Sequence, residues 1–383
     1  MDRRHFLAGL SAASLLSLSG TARAQAQAPR KLLILVELKG GNDGLNTLVP
    51  FADPAYRRLR PRLAIGRDDA LRLDDERGLH PSLESLMPAW SAGELALVQG
   101  LGYPDPNLSH FRSIEIWDTA SRSDEYLDEG WLTRAFAKHP SPPGYAADGV
   151  VVGAADLGPL SGAGARTIAL ANPEQFLRNA RLARSTAGTA TNPSLAHILR
   201  VERDIQRSAD RLHPGREFTT AFPAGPFGAA VRTAAQLAAN REGISAIRLT
   251  LGGFDTHANQ AGPHAALLRQ LGEGLAALRG ALKEIGRWPD TIVATYSEFG
   301  RRAQENQSGG TDHGTASVHF VIGGQVRGGL AGRAPALDQL DAGGNLVFTT
   351  DFRAYYGGLL EAAYGTPAGQ EVGVAQPLRL LRA

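Results

Sequence analysis

Nine side chains able to bind a metal, carry a proton or attack an electrophile fall into four short clusters. They are Asp43; Ser109 with His110; Asp255 with His257; and Glu298, Arg301, Asp312 and His313. The chain has no cysteine, so thiolate ligands and disulfides are excluded and a metal would have to sit on carboxylate, imidazole or backbone oxygen. Asp255 and His257 are two residues apart, which in extended backbone points both side chains the same way. That is a metal-ligand spacing; the plainer alternative is a hydrogen-bonded Asp–His pair. Asp43 lies in Lys39–Asn46 (KGGNDGLN) and is either a ligand or an Asx turn. Ser109 stands at the expected N-cap of a helix. It caps that helix, or it is a nucleophile where backbone N–H groups and the helix dipole favour an anion. His110 is a leaving-group acid or a core histidine. Arg301 neutralises a transferring group bidentately or serves in an ion pair.

The elements that must position these residues can be read from hydropathy. Lys31–Leu38 (KLLILVEL), Leu95–Val98, Val150–Val152, Ile244–Leu251, Thr291–Thr295 (β-branched) and Val318–Ile322 read as strands, the first a near-continuous apolar run as expected for a strand buried on both faces. Leu346–Thr349 reads as a further short strand. Helices are expected from His80-Pro81-Ser82 to about Trp90, over Phe111–Ala120, Pro173–Arg184, Pro193–Leu212 and Ala229–Asn240, and at the end over Phe352–Tyr364. Leu267, Leu268, Leu271, Leu275, Leu278, Leu282 and Ile285 recur at helical spacing and mark one packed face. Alternating strands and helices predict an α/β fold with a mostly parallel sheet. In such sheets ligands gather beyond the carboxyl ends of the strands. Every polar cluster leaves such an end, so one sheet edge would collect them. Residues 121–228, interrupted by segments rich in Gly, Pro and Thr, read as a cap or insertion over the sheet.

Composition narrows the function. The 383 residues carry a net charge of +2, and Arg3, Arg4 and Arg23 against Asp2 account for all of it. The remainder has 37 basic and 37 acidic residues, with no basic run interleaved by aromatics, so a nucleic-acid partner is not expected. Arg3-Arg4-His5-Phe6-Leu7, a short apolar region and Ala22-Arg23-Ala24 form a twin-arginine export signal over residues 1–28, cleaved near residue 24. Its expected partner is the twin-arginine translocase, and residues 29–383 would be a single periplasmic domain. The apolar region is too short to span a bilayer comfortably.

The motifs LKGGNDGLNTLVP, DPAYRRLRPRLAI, HPSLESL, NLSHFRS, GGFDTHANQ, SEFGR and GTDHGTAS closely resemble exported bacterial proteins grouped as domain of unknown function 1501. The match runs from about Leu32 to Gly365. That family resembles a distant branch of the alkaline phosphatase and sulfatase superfamily. The resemblance implies an alkaline-phosphatase-like α/β sandwich, its mostly parallel central sheet flanked by helices. It also implies one or two divalent metals, zinc first, with manganese or calcium as alternatives. By position, Asp43 resembles the first-strand metal aspartate, with Glu37 the alternative in register, and Ser109 occupies the nucleophile's place. Asp255 and His257 resemble the Asp and His of one metal site. Glu298 falls where the superfamily has an aspartate, and His313 resembles the late metal histidine. Phe299 is a departure, since the superfamily commonly has a metal histidine there. The expected function is metal-dependent hydrolysis of phosphate or sulfate esters, acting on a small or envelope-derived anionic substrate. The alternative is a non-catalytic periplasmic binding or scaffold protein.

Overall fold

The computed structural model describes residues 31–171, 216–240, 242–366, 371–374 and 376–382. The expected export signal and the helices expected over 173–184 and 193–212 lie outside them. In chain order the elements of the main sheet, its flanking helices and the site begin with β1 (Leu32–Lys39), α1 (Gly44–Thr47), β2 (Leu95–Gly102), α2 (His110–Thr119), α3 (Trp131–Lys138), β3 (Ala147–Val152) and β4 (Thr167–Leu170). They continue with α4 (Pro226–Ala238), β5 (Ile244–Gly252), α5 (Ala261–Glu284), β6 (Thr291–Tyr296), β7 (Gly300–Arg301) and β8 (His313–Gly314). The last are β9 (Ser317–Gly323), β10 (Gly329–Ala331), β11 (Thr350–Asp351) and α6 (Phe352–Tyr364).

The main sheet runs β10–β2–β9–β6–β1–β5–β3–β4, with β11 also on β2. β1 lies between two parallel neighbours: Leu33 is in register with Ala246 of β5 and with Ile292 of β6. β9 alone runs against its neighbours β2 and β6. β1, β2, β5 and β6 therefore all end at one edge, and β9 starts there.

Alternation along β1 divides the core. Leu32, Ile34, Val36 and Leu38 face one layer, built with α4 and α5. Leu33 and Leu35 face the other, built with α2, α3 and α6. The apolar stripe of α5 is buried at Leu268, Leu271, Leu275, Leu278 and Leu282, as its spacing required. Glu37 falls on the second face. Its carboxylate accepts from Arg248 Nη2 at 2.7 Å and Thr250 Oγ1 at 2.9 Å, so the alternative first-strand ligand is bound within the sheet layer.

Three local expectations change. The helix expected from residue 82 is a 3-10 turn, Pro81–Leu86, followed by Met87–Ser91, because Pro88 has no N–H to continue an α ladder. The strand expected at Leu346–Thr349 forms at Thr350–Asp351 instead; Leu346 makes an isolated bridge to Leu340 and packs into a small third cluster. Within the stretch expected to cap the sheet, β3 and β4 extend the sheet itself, and Trp131, Leu132 and Phe136 of α3 are core. Among the described residues no helix is long and apolar enough to cross a membrane.

Candidate metal centre

The loops leaving β1, β5 and β6 and the strand β8 meet at the sheet edge. Two glycines permit the approach. Gly40 (φ +114°) leaves no room for a Cβ, which would lie 2.5 Å from Asp255 N. At Gly41 (φ +84°) a Cβ would lie 2.4 Å from the Phe299 ring. Both conformations favour glycine.

The ligand atoms of His110, Asp255 and His313 lie within 4.8 Å of one another. His257 joins them: its Nε2 is 3.0 Å from Asp255 Oδ1 and 2.9 Å from His313 Nε2. His313 Nε2 is 3.1 Å from Asp255 Oδ1, and His110 Nε2 is 3.4 Å from Asp255 Oδ2. Each imidazole is held from behind by its other nitrogen. His110 Nδ1 lies 2.9 Å from Glu298 Oε1, His257 Nδ1 3.3 Å from Asp312 Oδ1, and His313 Nδ1 2.8 Å from Leu108 O. All three partners accept, and the tautomer that satisfies them carries the proton on each Nδ1. Each Nε2 then presents a lone pair toward Asp255. His257 and His313 thus bring two lone pairs together, an arrangement that repels unless a cation lies between them. The donor set fits a divalent metal, and its nitrogen content favours zinc. Two donors on one tetrahedral zinc are roughly 3.3 Å apart, given bonds of ~2.0 Å, close to the separation of each Nε2 from Asp255 and of His257 Nε2 from His313 Nε2.

Electrostatics match this reading. Partial burial opposes ionisation of Asp255, but the hydrogen bond and charge of Arg301 outweigh it and lower its carboxyl. Burial pushes the His313 imidazole below its ordinary value, which keeps it neutral and able to ligate. A hydrogen bond from Asn306 lowers the Asp312 carboxyl, and His257 adds to it. The Phe299 ring packs 4.4 Å from His313 and 4.9 Å from His110. In the position where an imidazole was expected, it forms the floor under two others.

The nine residues therefore sort differently from expectation. Asp255, His257 and His313 converge as expected. His110, expected as an acid, joins the convergence through Nε2. Glu298, expected as a ligand, is buried behind His110, where it also accepts from Gly40 N at 2.8 Å. Asp312 likewise stands behind His257. Asp43 does not reach the cluster. It caps α1 through Leu45 N and Asn46 N, and Oδ2 pairs with Arg60 Nη1 at 2.5 Å and with Gln260 Nε2. Burial raises its carboxyl, yet the Arg60 charge and hydrogen bond outweigh this and lower it. Ser109 is the exposed N-cap of α2, and its side chain makes no capping bond. Arg301 does not face the opening. Fully buried, it donates to Gly41 O at 2.8 Å, Thr311 O at 2.9 Å, Phe254 O at 2.9 Å, Asp255 Oδ1 at 2.7 Å and Gly40 O. It ties three loops together.

Sequence reading missed Arg60 and Gln260. Arg60 also donates to Asn46 Oδ1, Ala303 O and Arg302 O. Gln260 accepts from Thr256 Oγ1 and Thr311 Oγ1. No local pattern distinguishes them from surface residues; Arg60 joins Asp43 to the carbonyls of Arg302 and Ala303, and Gln260 joins Asp43 to Thr311, groups far apart in sequence.

Residues 30–343 match the model of a family described as protein of unknown function, DUF1501. No curated protein matches the chain. Among solved structures it is similar to the lipoteichoic acid synthase LtaP from Listeria monocytogenes, at 11% identity and a TM-score of 0.36, over 78% of this chain and 67% of that one. It is similar to a protein in the alkaline phosphatase superfamily from Vibrio parahaemolyticus, at 13% identity and 0.39, over 81% and 64%. A third is the C-terminal periplasmic domain of EcEptC from Escherichia coli in complex with Zn, at 12% identity and 0.35, over 77% and 72%. These likenesses are distant, and the chemistry rests on the geometry of the site itself.

Proposed function

The chain belongs to the DUF1501 family of proteins of unknown function, and for this member we propose an exported, metal-dependent hydrolase of phosphate or sulfate esters. One observation carries the reading: three imidazoles, each anchored through Nδ1, bring their Nε2 atoms to within 3.0–3.4 Å of the Asp255 carboxylate. Acceptors behind metal-binding histidines orient the rings and raise their basicity. His110, His257, His313 and Asp255 would hold the ion. When bound, a divalent cation supplies Lewis acidity to an ester oxygen and lowers the pKa of an attacking hydroxyl. Ser109, the residue before His110, makes no capping bond with its side chain and would attack or orient a water, with the first-turn N–H groups of α2 favouring the anionic group. Asp43 is paired with Arg60 while Glu298 and Asp312 serve the imidazoles. These assignments support one ion rather than two.

Elemental analysis of natively exported protein spanning residues 25–383 tests this. About one equivalent of zinc is expected, with the Asp255→Ala/His257→Ala double variant folded but metal-free. Absence of metal after zinc soaking would reduce the cluster to a hydrogen-bond network. Export is tested separately: Arg3→Lys/Arg4→Lys should leave the protein in the cytoplasm.

Arg301 supports a second reading. As it is engaged by backbone carbonyls it cannot clamp a transferring group, which suits a non-catalytic periplasmic binding or scaffold protein with one structural metal. Turnover decides between them: zinc-loaded protein that leaves aryl phosphates, phosphodiesters and aryl sulfates uncut supports the binder.

A further inference from the structure

The three anchors behind the imidazoles differ in how firmly they are themselves held. Leu108 O, behind His313, is backbone, and Glu298, behind His110, is buried. Asp312, behind His257, is a side chain 49% exposed, and His257 is 44% exposed. A carboxylate–imidazole bond so open to water holds little by itself. Asn306 supplies what is missing. Its Nδ2 donates to Asp312 Oδ1 at 3.0 Å and to His257 O at 2.9 Å, so one amide nitrogen grips both members of the pair. Its Oδ1 accepts from Ser308 N at 3.0 Å and from Gly310 N at 3.1 Å. These partners settle the orientation of the carboxamide, since two N–H donors meet its oxygen and two acceptors meet its nitrogen.

The amide stands on a fixed base. Asn306 N donates to Gly310 O at 2.8 Å, and Gly309 N to Asn306 O at 3.2 Å, closing a turn. Arg62 donates to Asn306 O, to Gln307 O at 3.1 Å and to Glu305 Oε1 at 2.7 Å. Glu305 N donates to Leu59 O at 3.1 Å, and Glu305 Oε2 accepts from Leu63 N at 2.8 Å. The turn also pairs with the segment after His257: Asn259 N donates to Ser308 O at 3.0 Å and Gln260 N to Gly309 O at 2.9 Å. None of these contacts uses a donor of the metal cluster, so the base does not depend on an ion.

We propose that Asn306 is a positioning residue: its carboxamide locks Asp312 to the His257 backbone and so keeps His257 Nε2 aimed at the metal position. It acts through Asp312 and lies outside the ligand set. This rests on the metal-dependent reading above and adds a further layer behind its most exposed imidazole anchor.

Zinc titration of protein spanning residues 25–383, read by competition with a chromophoric chelator, tests it as a double-mutant cycle. Asp312→Ala removes the anchor and should weaken zinc binding about 10- to 100-fold. Asn306→Ala should weaken it about tenfold, but by less than about twofold when residue 312 is already alanine. A residue that merely shapes its loop costs the same in both backgrounds, so additive losses overturn the proposal. Asn306→Asp keeps an acceptor for Ser308 and Gly310 N–H and turns a second acceptor toward Asp312 and His257 O. It should bind zinc at least as weakly as Asn306→Ala, although its added negative charge would by itself draw a cation in; unchanged or tighter binding overturns the proposal. Melting in EDTA checks the fold of each variant, and where Asn306→Ala does not fold, Asn306→Asp, with its loop acceptor kept, takes its place in the cycle. If wild-type protein binds no zinc, the metal reading fails and this inference falls with it. If it binds zinc and Asp312→Ala binds as tightly, the metal reading stands and the role of Asn306 alone is overturned.

Discussion

Replacing Arg301 by alanine separates a structural arginine from a catalytic one. The side chain is fully buried and meets five acceptors, four of them backbone carbonyls of the loops after β1 and β5 and of Thr311. A buried acceptor left unsatisfied costs ~1–3 kcal/mol, and water entering the vacated space recovers part of that. The fifth acceptor, Asp255, is 44% exposed, so its ion pair adds little once solvent screening is allowed for. The net loss is about 4 kcal/mol, the range found when one partner of a buried charged network is removed. Unfolding entropy of ~2.1 cal/mol/K per residue makes this a melting shift of about 5–6 °C for a chain of this length. Arg301→Lys keeps the charge but only three donors on one nitrogen, and about half the loss is expected. The assay is thermal or urea unfolding in EDTA, so that no lost metal contributes. If Arg301→Ala melts within about 1 °C of wild type and loses only phosphonate binding, the guanidinium is a ligand clamp and the structural argument is wrong.

Further outcomes follow from the same contacts. Glu298→Gln weakens the acceptor behind His110 and should lower zinc affinity about 10- to 100-fold at unchanged stoichiometry, read by competition with a chromophoric chelator. Asp43→Asn retains an N-cap for α1 but leaves Arg60 unpaired in the interior, so it should destabilise by ~3–5 kcal/mol in urea. The Asp43 carboxyl is lowered in the fold, so its stabilisation is present above the unfolded value near ~3.9 and is lost as pH falls through the lower folded value; the variant should lack that part of the acid-unfolding curve. His319 is fully buried, and desolvation takes its imidazole down to about 3. The unfolded chain therefore binds a proton that the fold refuses between about pH 3 and 6.5, and stability rises with pH across that window. His319→Gln should remove about 2 kcal/mol of the change between pH 7 and 5, measured as urea midpoints. Gly41→Ala forces a Cβ into the Phe299 ring at a positive φ and should reduce both stability and zinc affinity, seen together in melting and zinc titration.

The sheet was legible because burial on both faces leaves a plain record. Leu32–Leu38 and Thr291–Thr295 are almost continuously apolar or β-branched, Ile244–Leu251 alternates only in its second half, and all three are central parallel strands. Strand direction was not legible for β9, whose apolar run is the same whether its neighbours run with it or against it. Nor was the edge: β4, Thr167–Leu170, is only four residues and half-exposed on one face, too short for period-two patterning to stand out. At Leu346 the apolar residue packs into a loop cluster rather than a ladder, which hydropathy cannot distinguish.

For the site, residue type and strand-end position located the polar edge but not the roles within it. Asp43, Asp255, Glu298 and Asp312 are all carboxylates after strands or turns, and nothing local ranks them. What separates them is the distant group each meets. Arg60 takes Asp43, His110 takes Glu298, and His257 takes Asp312, at sequence separations of 17, 188 and 55. Only Asp255 is left facing three imidazole lone pairs. The basic residues show the same dependence. Arg301 sits in a polar, glycine-flanked segment that reads as an exposed catalytic loop, yet the fold closes three loops over it, and its donors turn inward to carbonyls that would otherwise be buried without partners. The carbonyl demand of those loops, a property of their tertiary approach and of Gly40 and Gly41 in particular, fixes the role of Arg301. A clamp on substrate was the chemically richer reading of the segment, and packing assigns it the structural one.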